Sequence, residues 1–238
     1  GTAAGYRWGL PWGAKVLAPH VPVSAMRPIS DEAMEFLDKK WFQPSRLSEE
    51  RRQKLQDGFR ALAAADPLLA AYGDRLSLNF RASPKLGPNA LALPDGQIVL
   101  LDELVNLEMN DEEILAVLCH ELGHLSKRHS IRLLIQSSVV GLVTAGLFGD
   151  VSYIAATVGA VLLSSNYSRD MEIEADDYAA DTLRVQGKSP ALLAAALEKL
   201  DAFHRAAARK DDEDSKEYPD WFSSHPASTE RIRRLQGD

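Results

Sequence analysis

A chain of 238 residues with 45% hydrophobic and only 26% charged residues is long and apolar enough to bury a core, which excludes a disordered or fibrous reading. Its 34 acidic residues outnumber its 27 basic ones, leaving a formal charge of -7, and no basic stripe carries interleaved aromatics, so nucleic acid is not an expected partner. Cys119 is the single cysteine, which excludes an intrachain disulfide and a cysteine-based zinc knuckle, so any metal site must use histidines and carboxylates. The chain starts at Gly1, without Met and without a basic segment running into an apolar one, and an N-terminal piece is therefore expected to have been removed by processing.

In chain order, residues 1–30 are rich in Gly, Pro and aromatics and are expected to form an irregular lead-in packed on the domain. Ser30 is a candidate N-cap, followed at helical spacing by Ala33, Phe36 and Leu37, and Ser48 opens a second helix that runs to about Ala65. Short apolar or alternating runs from Leu76 to Phe80 and from Gln97 to Leu101, bounded by turn residues that include Pro94-Asp95-Gly96, predict a small sheet. Asn110 then caps a long helix in which Glu113 completes a capping-box-like arrangement and Ile114, Leu115, Val117, Leu118, Leu122 and Leu125 form the apolar side. Two uncharged runs, Leu133 to Gly149 and Val151 to Ser168, read as a helical hairpin. It is either buried under protein or laid against a bilayer surface; Gln136, the serines and the glycines favour the first. An acidic helix from about Arg169, another from Ser189 to about Ala208, a charged loop from Lys210 to Glu217 and a terminal helix from near Ser228 complete a predominantly helical α+β pattern.

The chemistry lies in His120-Glu121-Leu122-Gly123-His124. On a helix, His120 and His124 stand one turn apart and point the same way, so two imidazoles are offered to one ion, with Glu121 beside them to take a proton from water. A hydrolytic zinc site needs a third protein ligand. Glu172 and Asp176 share a face of the acidic helix: Glu172 is placed to bind the ion and Asp176 to accept the second ring N–H of a ligand histidine. Glu174, Asp177 and Asp181 on the same helix support a competing reading, a solvated acidic face. His129, five residues beyond His124, falls off the ligand face and reads as a helix-end residue, while His20 and His204 belong to no pattern.

These residues bring the chain to a known family. It resembles the M48 peptidases, the Ste24-like and HtpX-like zinc metalloproteases of the gluzincin group, from about Leu76 to the C-terminus. Four elements in family order carry the resemblance: Asn89-Ala90-Leu91-Ala92-Leu93-Pro94-Asp95-Gly96, the His120 to His124 motif, Ser168-Arg169 through Glu172 to Ala175-Asp176, and Ser224-His225-Pro226 with Arg231-Ile232. The resemblance implies one zincin domain over residues 31–238, including the 133–168 hairpin, with a single Zn2+ held by His120, His124 and Glu172. Glu121 would be the general base and Asp176 would orient a ligand histidine, His120. It implies that His225 stabilises the developing oxyanion, or occupies the ion as a fourth ligand in a latent form, and that Arg231 supports His225 or simply packs. Asn89, Ala90, Leu91 and Ala92 would form an edge strand on which an extended or unfolded polypeptide pairs through its backbone. The four transmembrane helices of Ste24-like and HtpX-like members are missing from this sequence, which brings it closer to soluble or peripherally attached bacterial members. The resemblance therefore implies the periplasmic side of the cell envelope, and cleavage of misfolded or misassembled envelope proteins. The competing implication is a latent, chaperone-like assembly-binding protein whose site His225 keeps closed.

Overall fold

The computed structural model describes residues 9–137, 167–208, 225 and 229–237. Residues 10–26 are more regular than expected. They form helix α1 (Leu10–Leu17) and two short 3-10 turns (Ala18–His20 and Val23–Met26) before helix α2 (Arg27–Lys40). The prolines that suggested irregularity sit in first turns instead, Pro11 in α1 and Pro28 in α2, where a missing N–H is no loss and the fixed φ suits a helix. Ser30 is accordingly inside α2 and not its cap; its buried hydroxyl accepts a hydrogen bond from the Asp95 backbone N–H at 3.2 Å.

A strand β1 (Gln43–Pro44), helix α3 (Glu49–Ala63, capped by Ser48) and a 3-10 stretch (Pro67–Arg75) lead into β2 (Ser77–Ala82), β3 (Ala90–Ala92) and β4 (Gln97–Leu101). The sheet order is β1-β2-β4-β3, with β2 and β4 parallel and the two outer pairings antiparallel. β4 is covered on both faces, which is why it reads as a continuous apolar run. Ile98 and Leu100 join the main core with Leu78, Phe80 and the helices that follow, while Val99 and Leu101 pack with Met34 and Leu37 of α2 on the other face. Arg75, through Nε, holds the fully buried Asp95 at 2.6 Å and so fixes the turn where Gly96 takes a positive φ of 108°.

After one turn of helix, α4 (Asp102–Val105), comes α5 (Asp111–Ser126). Its capping box is complete: Asn110 Oδ1 accepts from the Glu113 N–H at 2.9 Å and Glu113 Oε2 from the Asn110 N–H at 2.8 Å. The chain turns at Arg128, whose φ is 55°, and residues 129–137 are helical again. Helix α6 (Arg169–Val185), α7 (Ala191–Ala208) and α8 (Thr229–Gln236) close the core. Lys199 of α7 reaches Glu113 at 2.7 Å, so the capping box also anchors α7. Residues 138–166 of the expected hairpin and the charged run at 210–217 lie outside the described residues; no helix among the described residues is long and apolar enough to cross a membrane.

Helices α5 and α6 cross at Gly123. A Cβ built there would stand 3.0 Å from both Cα and O of Ala175 and 3.1 Å from the Tyr178 ring, so only hydrogen allows the approach. Gly123→Ala is expected to lower stability by about 1–3 kcal/mol through overpacking against backbone. Gly58→Ala, which meets only the movable Leu115 side chain at 2.7 Å and gains helix propensity, should cost less. Chemical denaturation of the two variants beside wild type checks the order; equal stabilities would show that the crossing has room to spare.

Candidate metal centre

Helix α5 brings His120, Glu121 and His124 to the crossing with α6, which contributes Glu172 and Asp176; all five are buried. His120 Nε2 and His124 Nε2 lie 3.0 Å apart, and they stand 3.5 Å and 3.4 Å respectively from the two Glu172 oxygens. His225 adds Nδ1 at 3.1 Å from Glu172 and 3.4 Å from His120 Nε2. These four residues offer ligand atoms that all fall within 4.8 Å of one another. Imidazole and carboxylate groups that converge this closely in a dry space need a cation or shared protons among them. The donor set, nitrogen-rich with one carboxylate, suits Zn2+.

The surroundings fix both the charge and the orientation of this set. Asp176 Oδ1 lies 3.0 Å from His120 Nδ1, the nitrogen turned away from the ligand cluster. Arg231 of α8 makes a two-pronged contact with Asp176, Nε at 2.6 Å and Nη2 at 2.8 Å, and its Nη1 lies 2.7 Å from Glu172. The guanidinium thus braces two carboxylates on one face of α6. Burial would raise Glu172, but the imidazoles of His225, His120 and His124 hold its carboxyl well below the ordinary value. Burial likewise opposes ionisation of Asp176, and Arg231 with His120 overrides it. His124 is driven well below the ordinary imidazole value by burial, against the pull of Glu172, and so stays neutral, the form in which histidine binds metals. Glu121 is raised by burial, partly offset by His225 and His120, and neither of its oxygens has a hydrogen-bond partner among the described residues. A buried carboxylate kept from hydrogen bonds, with His225 Nε2 3.5 Å from Oε1, is a proton acceptor held ready.

Arg231, expected beside His225, therefore acts on Asp176 and Glu172 directly. Asn89, Ala90, Leu91 and Ala92 lie at the sheet edge beside α5, and all four are buried, backbone included. Leu101 N–H bonds Asn89 O at 3.0 Å and Leu93 N–H bonds Gln97 O at 2.8 Å, which turns Ala90 and Ala92 outward by strand alternation. Ser130 Oγ donates to the outward Ala92 carbonyl at 3.1 Å and lies 3.1 Å from Tyr167 Oη, and the Tyr167 ring stacks on His124 at 4.0 Å between centroids.

Sequence reading missed Ser130 and Tyr167, and it placed His129 too far away. His129 is fully buried against His124, with Nδ1 2.8 Å from His124 Nδ1. The helical projection that put it off the face fails because α5 ends at Ser126 and the chain bends back at Arg128. Glu174 is half-buried and paired: it holds His129 at 3.0 Å, Arg132 at 2.7 Å and Lys15 at 2.7 Å. His129 first, against burial, and then Lys15 and Arg132 keep its carboxyl far below the ordinary value. Cys119, next to the motif, is inert: burial pushes its thiol up to about 12.

Two histidines one turn apart on one helix, converging with a buried carboxylate from a second helix, are the pattern of a zincin of the gluzincin type. Residues 51–238 match peptidase family M48, and the chain belongs to that family, whose metalloproteases depend on zinc. It is 31% identical to Metalloprotease LoiP of Escherichia coli over 166 residues, covering 67% of this chain and 62% of that protein. Over 173 residues it is 30% identical to Metalloprotease YcaL of Escherichia coli, covering 67% and 61%. Mitochondrial metalloendopeptidase OMA1 of Arabidopsis thaliana is 28% identical over 202 residues, 84% of this chain and 37% of that protein. The matched region spans about three fifths of the length of the two Escherichia coli relatives.

His120 yields a pH prediction for protein stripped of metal. Burial lowers its pKa, but Asp176 and Glu172 outweigh burial and raise it to about 9 from 6.5. A raised folded pKa favours the fold while the proton is held, so this contribution is full below about pH 6.5 and is lost as pH rises through about 9. Denaturation midpoints of EDTA-treated wild type should therefore fall more steeply over that window than those of His120→Gln. Parallel curves would remove the charge on His120 from the balance.

Proposed function

We propose that this protein is a zinc-dependent endopeptidase that hydrolyses peptide bonds of extended or unfolded polypeptide. The observation that carries the reading is the buried set His120, His124 and Glu172 with Glu121 beside it, its carboxylate free of hydrogen bonds to the described residues. Zinc, when bound, polarises the scissile carbonyl and eases proton loss from water. Glu121 takes the proton of the attacking water and delivers it to the leaving amine, a task suited to a carboxylate whose pKa burial has raised. His225 donates to the oxyanion that develops on the carbonyl, and Asp176 keeps the His120 ring oriented. On this reading the substrate adds to the outer side of β3 once the contacts that bury Ala90 and Ala92, Ser130 on the Ala92 carbonyl among them, open, and chain geometry counts for more than side-chain identity.

The finer reading is protein quality control on the periplasmic side of a bacterial envelope, with misfolded or misassembled envelope proteins as substrates. Support comes from the place of β3 at the edge of the sheet beside α5 and from the kinship with two Escherichia coli metalloproteases. A second reading is favoured by a specific contact. His225 Nδ1 is as close to Glu172 as the two motif histidines are, and it belongs to the same ligand cluster, so a latent form with His225 as a fourth ligand is built from the same parts.

Glu121→Gln should retain stoichiometric zinc and lose hydrolysis of casein by about 10²-fold or more. Undiminished cleavage with zinc in place would end the enzymatic assignment. In the same assay His225→Ala should slow the reaction by about 10²- to 10³-fold if His225 serves the oxyanion, whereas acceleration would establish the latent form. Glu121→Gln protein used as a trap in its native envelope should retain unfolded envelope proteins; retention of none would remove the quality-control reading.

A further inference from the structure

His120 and His124 differ in how their second nitrogens are held. On the His120 side a carboxylate oxygen, Asp176 Oδ1, lies 3.0 Å from Nδ1. On the His124 side an imidazole is interposed: Nδ1 of His129 stands 2.8 Å from Nδ1 of His124, and Nε2 of His129 stands 3.0 Å from Glu174 Oε2. The helix explains the difference. Glu172 and Glu174 are two residues apart, about 200° around α6, so when Glu172 faces the ligand cluster Glu174 faces away from it. A carboxylate on that side needs a spacer to reach His124. The reversal of the chain at Arg128 brings His129, itself fully buried, into the gap.

We propose that His129 and Glu174 form a positioning pair for the metal ligand His124, an inference that rests on the metal-centre reading above. If His124 presents the lone pair of Nε2 to the ion, its proton is on Nδ1. His129 Nδ1 then accepts that proton's hydrogen bond, which places the His129 proton on Nε2, where Glu174 accepts it. The relay has one consistent set of tautomers, and its outer end is a carboxylate pinned by Arg132 at 2.7 Å and by Lys15 of α1 at 2.7 Å. Reversing any tautomer along it would set two N–H groups or two lone pairs against each other in a buried space. The pair therefore fixes which nitrogen of His124 is offered to zinc and the plane in which the ring lies. The contact with Lys15 also ties the N-terminal helix to the orientation of a ligand.

The test compares zinc affinity, by chelator competition, and the cobalt(II) d–d spectrum of wild type, His129→Leu, His129→Gln and Glu174→Gln. Gln can accept from His124 and donate to Glu174; Leu can do neither. The expected result is a 10- to 100-fold loss of zinc affinity and an altered cobalt spectrum in His129→Leu, with most of both restored in His129→Gln, and an intermediate loss in Glu174→Gln. Wild-type affinity and spectrum in His129→Leu would overturn the pair, and so would equal losses in the Leu and Gln variants, which would mark a space-filling role. If His129→Leu does not fold, the zinc-loaded wild type decides the matter through its histidine 15N shifts. A protonated Nε2 and an accepting Nδ1 on His129 are expected, and the opposite tautomer overturns the proposal. Wild type that takes up no zinc would sink the metal-centre reading, and this inference with it; wild type that binds zinc while His129→Leu matches it would sink the positioning pair alone.

Discussion

The near contact of two helices at Gly123 and Ala175 is the constraint on which the rest of the structure depends. With no side chain at Gly123 and a methyl at Ala175, α5 and α6 come together closely enough for His120 and His124 on one to meet Glu172 on the other. A side chain at Gly123 would press on the Ala175 backbone and the Tyr178 ring and force the two helices apart. The outer parts of the fold follow from holding this crossing still. The capping box at Asn110 fixes the start of α5 and, through Lys199, α7, while Arg231 of α8 clamps the Asp176 and Glu172 face of α6.

The site works against stability. Glu121, Glu172, Asp176 and Arg231 are all at least nine-tenths buried, and each buried charge costs several kcal/mol of hydration even after relaxation. Arg231 offsets part of that cost by serving two carboxylates at once, and His120 and His225 take more of it. Glu121 is left outside these arrangements, with no hydrogen-bond partner among the described residues. A packed helix crossing made only for stability would have apolar groups in these positions, and the core around them is otherwise apolar. The polar cluster is what the proposed zinc site and proton acceptor require.

Much of this was legible in the sequence, and the failures share a cause. Periodicity and capping chemistry are local, so they gave α3, the capping box of α5 and the start of α6 near Arg169. One-turn spacing paired His120 with His124 and Glu172 with Asp176, and the four residues do converge. What was misread depends on contacts distant in sequence. Glu174 resembled a solvated acid because its partners come from two other stretches of chain, Lys15 from α1 and His129 with Arg132 from residues 129–137. His129 was projected along a helix that had already ended, and nothing in Lys127-Arg128 announces a left-handed turn, since the residue there is not Gly. The prolines of residues 10–28 were read as breaks, although in a first turn they start helices.

The central claim is that one zinc ion lies between the two helices, held by two residues of α5 and one of α6. Anomalous diffraction from crystals of the zinc-loaded protein, recorded on both sides of the zinc edge, tests it most directly. The account predicts a single peak about 2.0–2.2 Å from His120 Nε2, from His124 Nε2 and from a Glu172 oxygen. A stoichiometric zinc peak elsewhere in the molecule, with these three side chains bonded only to one another, would contradict it.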